Sequence, residues 1–174
     1  MPVSTPTTHT ESYRLGAMSL VAAIAVILAA LAFQYVGGFE PCALCLTERY
    51  AYYAGIPLLF GTLIALSSGH TQWAIFGFAL VSLMFLTNTV LGGYHTGAEW
   101  GFWPGPTACT GAIKPAASID GFLKNLKTTH VVRCDAVAIR ILGLSLAVWN
   151  AVVSAGLVAL AMFGFWRSYH APSG

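Results

Sequence analysis

Residues 50–98, YAYYAGIPLLFGTLIALSSGHTQWAIFGFALVSLMFLTNTVLGGYHTGA, contain no Asp, Glu, Lys or Arg, and this 49-residue stretch between Arg49 and Glu99 decides the fold. As one helix it would run to about 73 Å at 1.5 Å per residue, far beyond a hydrocarbon core of about 30 Å. The stretch must fold back on itself. Its one cluster of polar and turn-forming residues is Ser67-Ser68-Gly69-His70-Thr71, which places a tight turn there and spans near 47–66 and 72–92. A charged side chain at the bilayer centre costs about 2.5–3.5 kcal/mol, so the other uncharged runs locate the other spans. Leu15 to Phe39 holds one near 17–36, interrupted by Ser19 and Gln34. Ile141 to Trp166 holds one near 141–166, with Ser145, Asn150 and Ser154 as its polar members.

The expected fold class is all-α: an integral membrane four-helix bundle, up-down-up-down, built on residues 15–166. Flanking it are a polar N-terminal tail, 1–14, and a C-terminal tail, 167–174. Only helices and closed barrels satisfy their backbone hydrogen bonds in lipid, and these runs lack the alternation of barrel strands. Charged residues make up 8% of the chain and hydrophobic ones 57%, too few charges to cover a water-facing domain. A net charge of +2 without a basic tract argues against nucleic acid. Ala22, Ala23, Ala25, Ala29, Ala30 and Ala32 allow close helix approach on the first span. That span is expected to be retained and not cleaved as a signal peptide, because its apolar run is too long and Glu11 precedes it.

All four cysteines lie outside the apolar runs, in connections 37–46 and 93–140. An up-down bundle brings those two connections to one face, so four thiols on that face point to an oxidising compartment and two disulfides. Three pairings exist on paper; spacing favours Cys42 with Cys45 and Cys109 with Cys134. Zinc frameworks usually carry two CxxC pairs and haem attachment needs His after CxxC, so no metal is expected. Purely structural disulfides are the competing use, but a CxxC ring closes little chain entropy and is the spacing of readily exchanged dithiols.

If the second helix starts close to Cys45, Arg49 follows one turn later on the same face, and the helix N-terminus adds a partial positive charge. Both favour the reactive thiolate. Glu48 opposes this unless it pairs elsewhere. In the long connection, Ile119, Phe122, Leu123 and Leu126 recur at helical spacing, which predicts a short helix lying in the membrane interface.

Three segments together resemble the disulfide bond formation protein B family, bacterial inner-membrane quinone reductases. They are Pro41-Cys42-Ala43-Leu44-Cys45-Leu46-Thr47-Glu48-Arg49-Tyr50, Gly93-Tyr94-His95 before Trp103-Pro104-Gly105-Pro106-Thr107-Ala108-Cys109-Thr110, and Arg133-Cys134-Asp135 before Leu142-Gly143-Leu144-Ser145. The resemblance runs from about residue 15 to 166. It implies a relay with Cys42, Cys45, Cys109 and Cys134 as catalytic residues. A Cys109–Cys134 disulfide would oxidise a periplasmic thioredoxin-like partner, of the disulfide bond formation protein A type, through a mixed disulfide on Cys109. Electrons would pass to Cys42–Cys45, and from Cys45 to a membrane quinone, ubiquinone or menaquinone, with Arg49 and His95 at the ring. A vitamin K epoxide reductase-like protein also couples CxxC to quinone, but its redox CxxC follows the loop pair and here the order is reversed. A non-enzymatic scaffold braced by disulfides is the rival of another class.

The implied placement is multi-pass in the bacterial inner membrane, both termini cytoplasmic and the cysteine connections periplasmic. The positive-inside rule runs the other way. The terminal face has Arg14 and Arg167, whereas the cysteine face has Arg49, Lys114, Lys124, Lys127, Arg133 and Arg140. The compartment argument from the cysteines is given precedence, because a cytosolic face would keep them reduced.

Overall fold

A computed structural model describes residues 7–106, 133–137 and 139–171. Four helices in it are long and apolar enough to cross a membrane: α1 (Thr7–Tyr35), α2 (Ala43–Ser67), α3 (Thr71–Glu99) and α4 (Leu146–Tyr169). A two-residue antiparallel pair, β1 (Arg140–Ile141) and β2 (Leu144–Ser145), leads into α4. Each helix packs on its neighbours in a closed ring, α1 on α2, α2 on α3, α3 on α4 and α4 on α1, with the α3–α4 seam the most extensive. The all-α membrane bundle read from the charge-free runs is the architecture found. Cys109 and the expected interfacial helix at 119–126 lie outside the described residues.

The core is a column of Tyr52, Leu59, Phe78, Val81, Phe85, Leu157 and Ala161, with Ala23 and Ile27 of α1 closing one side. Large apolar side chains such as Val21, Leu28, Phe60, Phe76, Leu83 and Phe163 point outward, as lipid-facing positions do when the solvent is itself apolar. The turn between α2 and α3 falls where the polar cluster placed it, with Gly69 at φ 78° reversing the chain.

Three helix limits differ from the sequence expectation. Residues 7–14, read as a polar tail, are the first turns of α1; Ser12 is fully buried and Glu11 pairs with Arg167 of α4 at 2.9 Å. A helix continues past the apolar stretch when its end can pack and pair. The third span, read as ending at residue 92, continues to Glu99. Gly92 lies inside that helix and serves close packing: a Cβ there would sit 3.1 Å from the Ala151 backbone nitrogen. The fourth span does not start at residue 141. Leu142 and Gly143 adopt φ 53° and 83°, a tight hairpin turn that no helix accommodates. Helix α4 begins only after Ser145, whose Oγ accepts from the Val148 amide.

The Gly92 contact is testable. Gly92→Leu overpacks the α3–α4 seam and costs about 1–3 kcal/mol, lowering the thermal midpoint in detergent by several degrees. Gly93→Leu, where a Cβ meets nothing within 4 Å, leaves the midpoint within a degree or so.

Candidate functional site

The site forms where the N-terminus of α2 meets the last turns of α3. Cys42 is the N-cap of α2, its sulfur accepting from the Cys45 backbone amide at 3.1 Å. This fold-back sets Cys45 in the first turn and puts Cys42 at the positive end of the helix. From α3, His95 presents Nε2 to Cys42 Sγ at 3.6 Å and Nδ1 to Glu48 Oε1 at 2.9 Å. Cys42, His95 and Glu48 are 5%, 3% and 6% exposed, so the chain of contacts is screened from solvent. With Nδ1–H donating to the carboxylate, Nε2 is the atom free to exchange a proton with the thiol. Glu48 thus has the partner it needed if it was not to oppose thiolate formation.

Cys42 lies outside the spans, and its thiol is held well below the ordinary range. Hydrogen bonding from the Cys45 side chain is the largest cause; burial pushes the other way, and the His95 and Cys45 amide hydrogen bonds add to the lowering. A lowered thiol pKa means that the fold favours the thiolate, the nucleophile of disulfide exchange.

Beside this cluster is a cavity of about 280 Å³. Val26, Ile27, Phe33, Trp149 and Val153 give it apolar walls, and Cys45, Arg49, His95 and Asn150 bring polar groups to it. Arg49 is half-buried and is anchored to α1, donating to Gln34 Oε1 and to the Ala30 carbonyl. Asn150 is held through its side-chain oxygen, which accepts from Tyr52 Oη at 2.8 Å and from Asn88 Nδ2 at 3.3 Å. Its Nδ2 is buried, with no hydrogen-bond partner among the described residues. An apolar cavity with a few convergent polar groups is the usual form of a small-molecule site.

The second cysteine connection reaches the same place. Cys134 is 1% exposed and shares one buried cluster with Cys42 and Leu44, with Cys45 and Leu91 packed around it. It is disulfide-bonded, whereas Cys42 and Cys45 are free thiols. Arg133 and Asp135 pair across it on the exposed side, and the guanidinium holds the Asp135 carboxyl below its usual range. Close by, Trp103 folds back on α3, stacking on Tyr94 at 5.7 Å and donating Nε1–H to the Tyr94 carbonyl at 3.0 Å. Gly97 leaves the room for that ring.

Residues 13–164 match the family model of disulfide bond formation protein DsbB. The chain belongs to that family. It is also similar to uncharacterized protein RP370 of Rickettsia prowazekii (strain Madrid E), with 25% identity over 123 residues that cover 70% of this chain and 69% of that protein. No solved structure matches the chain. Membership in the DsbB family makes the chain a multi-pass membrane oxidoreductase that acts on protein thiols in disulfide formation.

Of the residues singled out in the sequence, Cys42, Cys45, Cys134, Arg49 and His95 come together here, and Cys109 lies outside the described residues. His95, expected in a connection, is a buried helical residue. Gln34 and Asn150 were visible in the sequence as polar interruptions of apolar spans, without a role; Tyr52 and Asn88 carried no signal apart from being polar groups within a span.

The Cys42 geometry predicts a pH behaviour. In reduced protein with Cys109 and Cys134 replaced by Ala, thiolate absorbance should show one step well below the free-cysteine midpoint of about 8.5. Since the lowering depends partly on His95, His95→Gln should move that step upward. A step that stays at the free-thiol position in the unaltered site contradicts the assignment.

Proposed function

We propose that this chain is a membrane protein-thiol:quinone oxidoreductase that reoxidises a periplasmic thioredoxin-like disulfide donor and passes the electrons to ubiquinone or menaquinone. The observation that carries the reading is the shared burial of Cys134 with Cys42 beside a cavity bordered by Cys45. One cysteine pair is thereby in reach of the other, and the other is in reach of an apolar ring. In the membrane, the cysteine end of the bundle faces the periplasm and both termini the cytoplasm.

A partner thiolate attacks Cys109, the Cys109–Cys134 bond breaks, and Cys134 leaves as a thiolate. The partner's second thiolate resolves the mixed disulfide, which leaves the partner oxidised and the loop pair reduced. Cys134 then attacks Cys42, breaking Cys42–Cys45 and freeing Cys45 at the cavity wall. Cys109 attacks Cys134, which re-forms the loop disulfide and releases Cys42 as a thiolate stabilised by His95.

A bound quinone supplies a two-electron, two-proton acceptor. The cavity residues fit such a group: its walls are mostly apolar, Arg49 brings a fixed positive charge, and the buried Asn150 Nδ2 has no hydrogen-bond acceptor among the described residues. Arg49 and Asn150 would bind and orient the ring oxygens. His95 holds a proton at Nε2 between Cys42 and the cavity, with Glu48 fixing its orientation.

Anaerobic mixing of the purified protein with a reduced thioredoxin-like partner and ubiquinone should bleach quinone absorbance, one quinone for each dithiol. Cys45→Ser should abolish the bleaching. Arg49→His should raise the KM for quinone about tenfold, equivalent to about 1.4 kcal/mol. Asn150→Leu removes one neutral hydrogen bond, about 0.5–1.5 kcal/mol, and should raise it about two- to tenfold. No bleaching by the unaltered protein would overturn the reading.

A further inference from the structure

We propose that the dithiol form of the site is a redox-gated binding site for zinc, with Cys42, Cys45 and His95 as its three protein ligands. Their ligand atoms all lie within 4.8 Å of one another. The Cys42 Sγ to His95 Nε2 separation of 3.6 Å matches what tetrahedral zinc requires: Zn–S of about 2.3 Å and Zn–N of about 2.05 Å put the two ligand atoms about 3.6 Å apart. The sequence argued against a metal because it has a single CxxC. The fold supplies the third ligand from α3, 50 residues beyond Cys45, where no spacing rule looks.

The surroundings are those of a metal site. A ligating imidazole generally donates its other ring N–H to a carboxylate, which fixes the tautomer and strengthens the ligand. Glu48 is placed for that role, 2.9 Å from Nδ1, and is itself buried. Cys45 and His95 both border the cavity, so a fourth position opens onto a space that holds water or a small ligand. Three protein ligands with one open position is also the pattern that zinc adopts outside purely structural sites.

Two of the three ligands are the sulfurs that form the CxxC disulfide. In the disulfide neither sulfur is a thiolate, so the site exists in the dithiol state alone, and zinc binding displaces any protons on the thiols. A bound cation occupies the thiolates, holds the dithiol state and stops electron transfer from it. That inhibition rests on the proposed oxidoreductase reading; the binding itself does not.

The test is an anaerobic zinc titration of the full chain with Cys109 and Cys134 replaced by Ser, competed against a chromophoric chelator, with cobalt(II) as a second probe. The dithiol form should bind one zinc per chain and give the visible bands of tetrahedral thiolate-ligated cobalt, and the disulfide form should bind neither. Glu48→Gln should weaken zinc binding about 10–100-fold, and His95→Gln by at least as much. In the unaltered protein, zinc should slow quinone bleaching and a chelator should restore it. Absence of stoichiometric binding by the dithiol form, equal binding by the disulfide form, or unchanged affinity in His95→Gln would overturn the site. Because the titration contains neither quinone nor partner, failed binding with intact quinone bleaching sinks the zinc site alone. Binding without any quinone bleaching sinks the oxidoreductase reading alone.

Discussion

The contact on which the site depends is the hydrogen bond between Glu48 and His95. An acid and a base buried among apolar helices are each costly alone, and removing one partner of such a pair leaves the other stranded at about 3–5 kcal/mol. Here they satisfy one another across the α2–α3 seam. The bond takes Glu48 out of play as a negative charge facing the cysteines, aims Nε2 of His95 at Cys42 and ties the end of α3 to the start of α2. The extension of α3 to Glu99 follows the same logic, since His95 has to be helical and buried for its ring to lie between carboxylate and thiol.

Two further polar ties set the cavity. Tyr52, Asn88, Asn150 and Ser154 link α2, α3 and α4 through side-chain hydrogen bonds, each worth about 0.6–2 kcal/mol between membrane helices. Gln34 and the Ala30 carbonyl hold Arg49 against α1. All four helices are therefore fixed to one another by polar contacts around a space whose walls are otherwise apolar. The first network uses the oxygen of Asn150, whose Nδ2 has no hydrogen-bond partner among the described residues, and the second holds a cation at the cavity through neutral acceptors.

The bundle was legible because lipid forbids charge: runs without Asp, Glu, Lys or Arg marked all four helices and the turn at Gly69. Helix ends were less so, because they depend on tertiary contacts that no local signal carries. The third span reads as ending near residue 92 until α3 is seen to run on to Glu99, and Leu142-Gly143 reads as apolar span until its backbone is seen to turn. Within the site, CxxC and Arg49 stood out as chemistry-bearing residues, and His95 entered through the family resemblance. The pairing of Glu48 with His95 joins positions 47 residues apart, and the packing of Cys134 on Cys42 joins separate connections, so neither has a local pattern. Asn150 and Gln34 were visible as oddities whose meaning needed the cavity.

In the proposed relay the two cysteine pairs exchange disulfides through Cys134 and Cys42. Its most direct test is the full chain with Cys45 and Cys109 both replaced by Ala, oxidised mildly in detergent at low protein concentration and digested without reduction. A single cross-linked peptide joining Cys42 to Cys134 within one chain is expected, detected by mass spectrometry. Recovery of both cysteines as free thiols, with no such peptide, would contradict it.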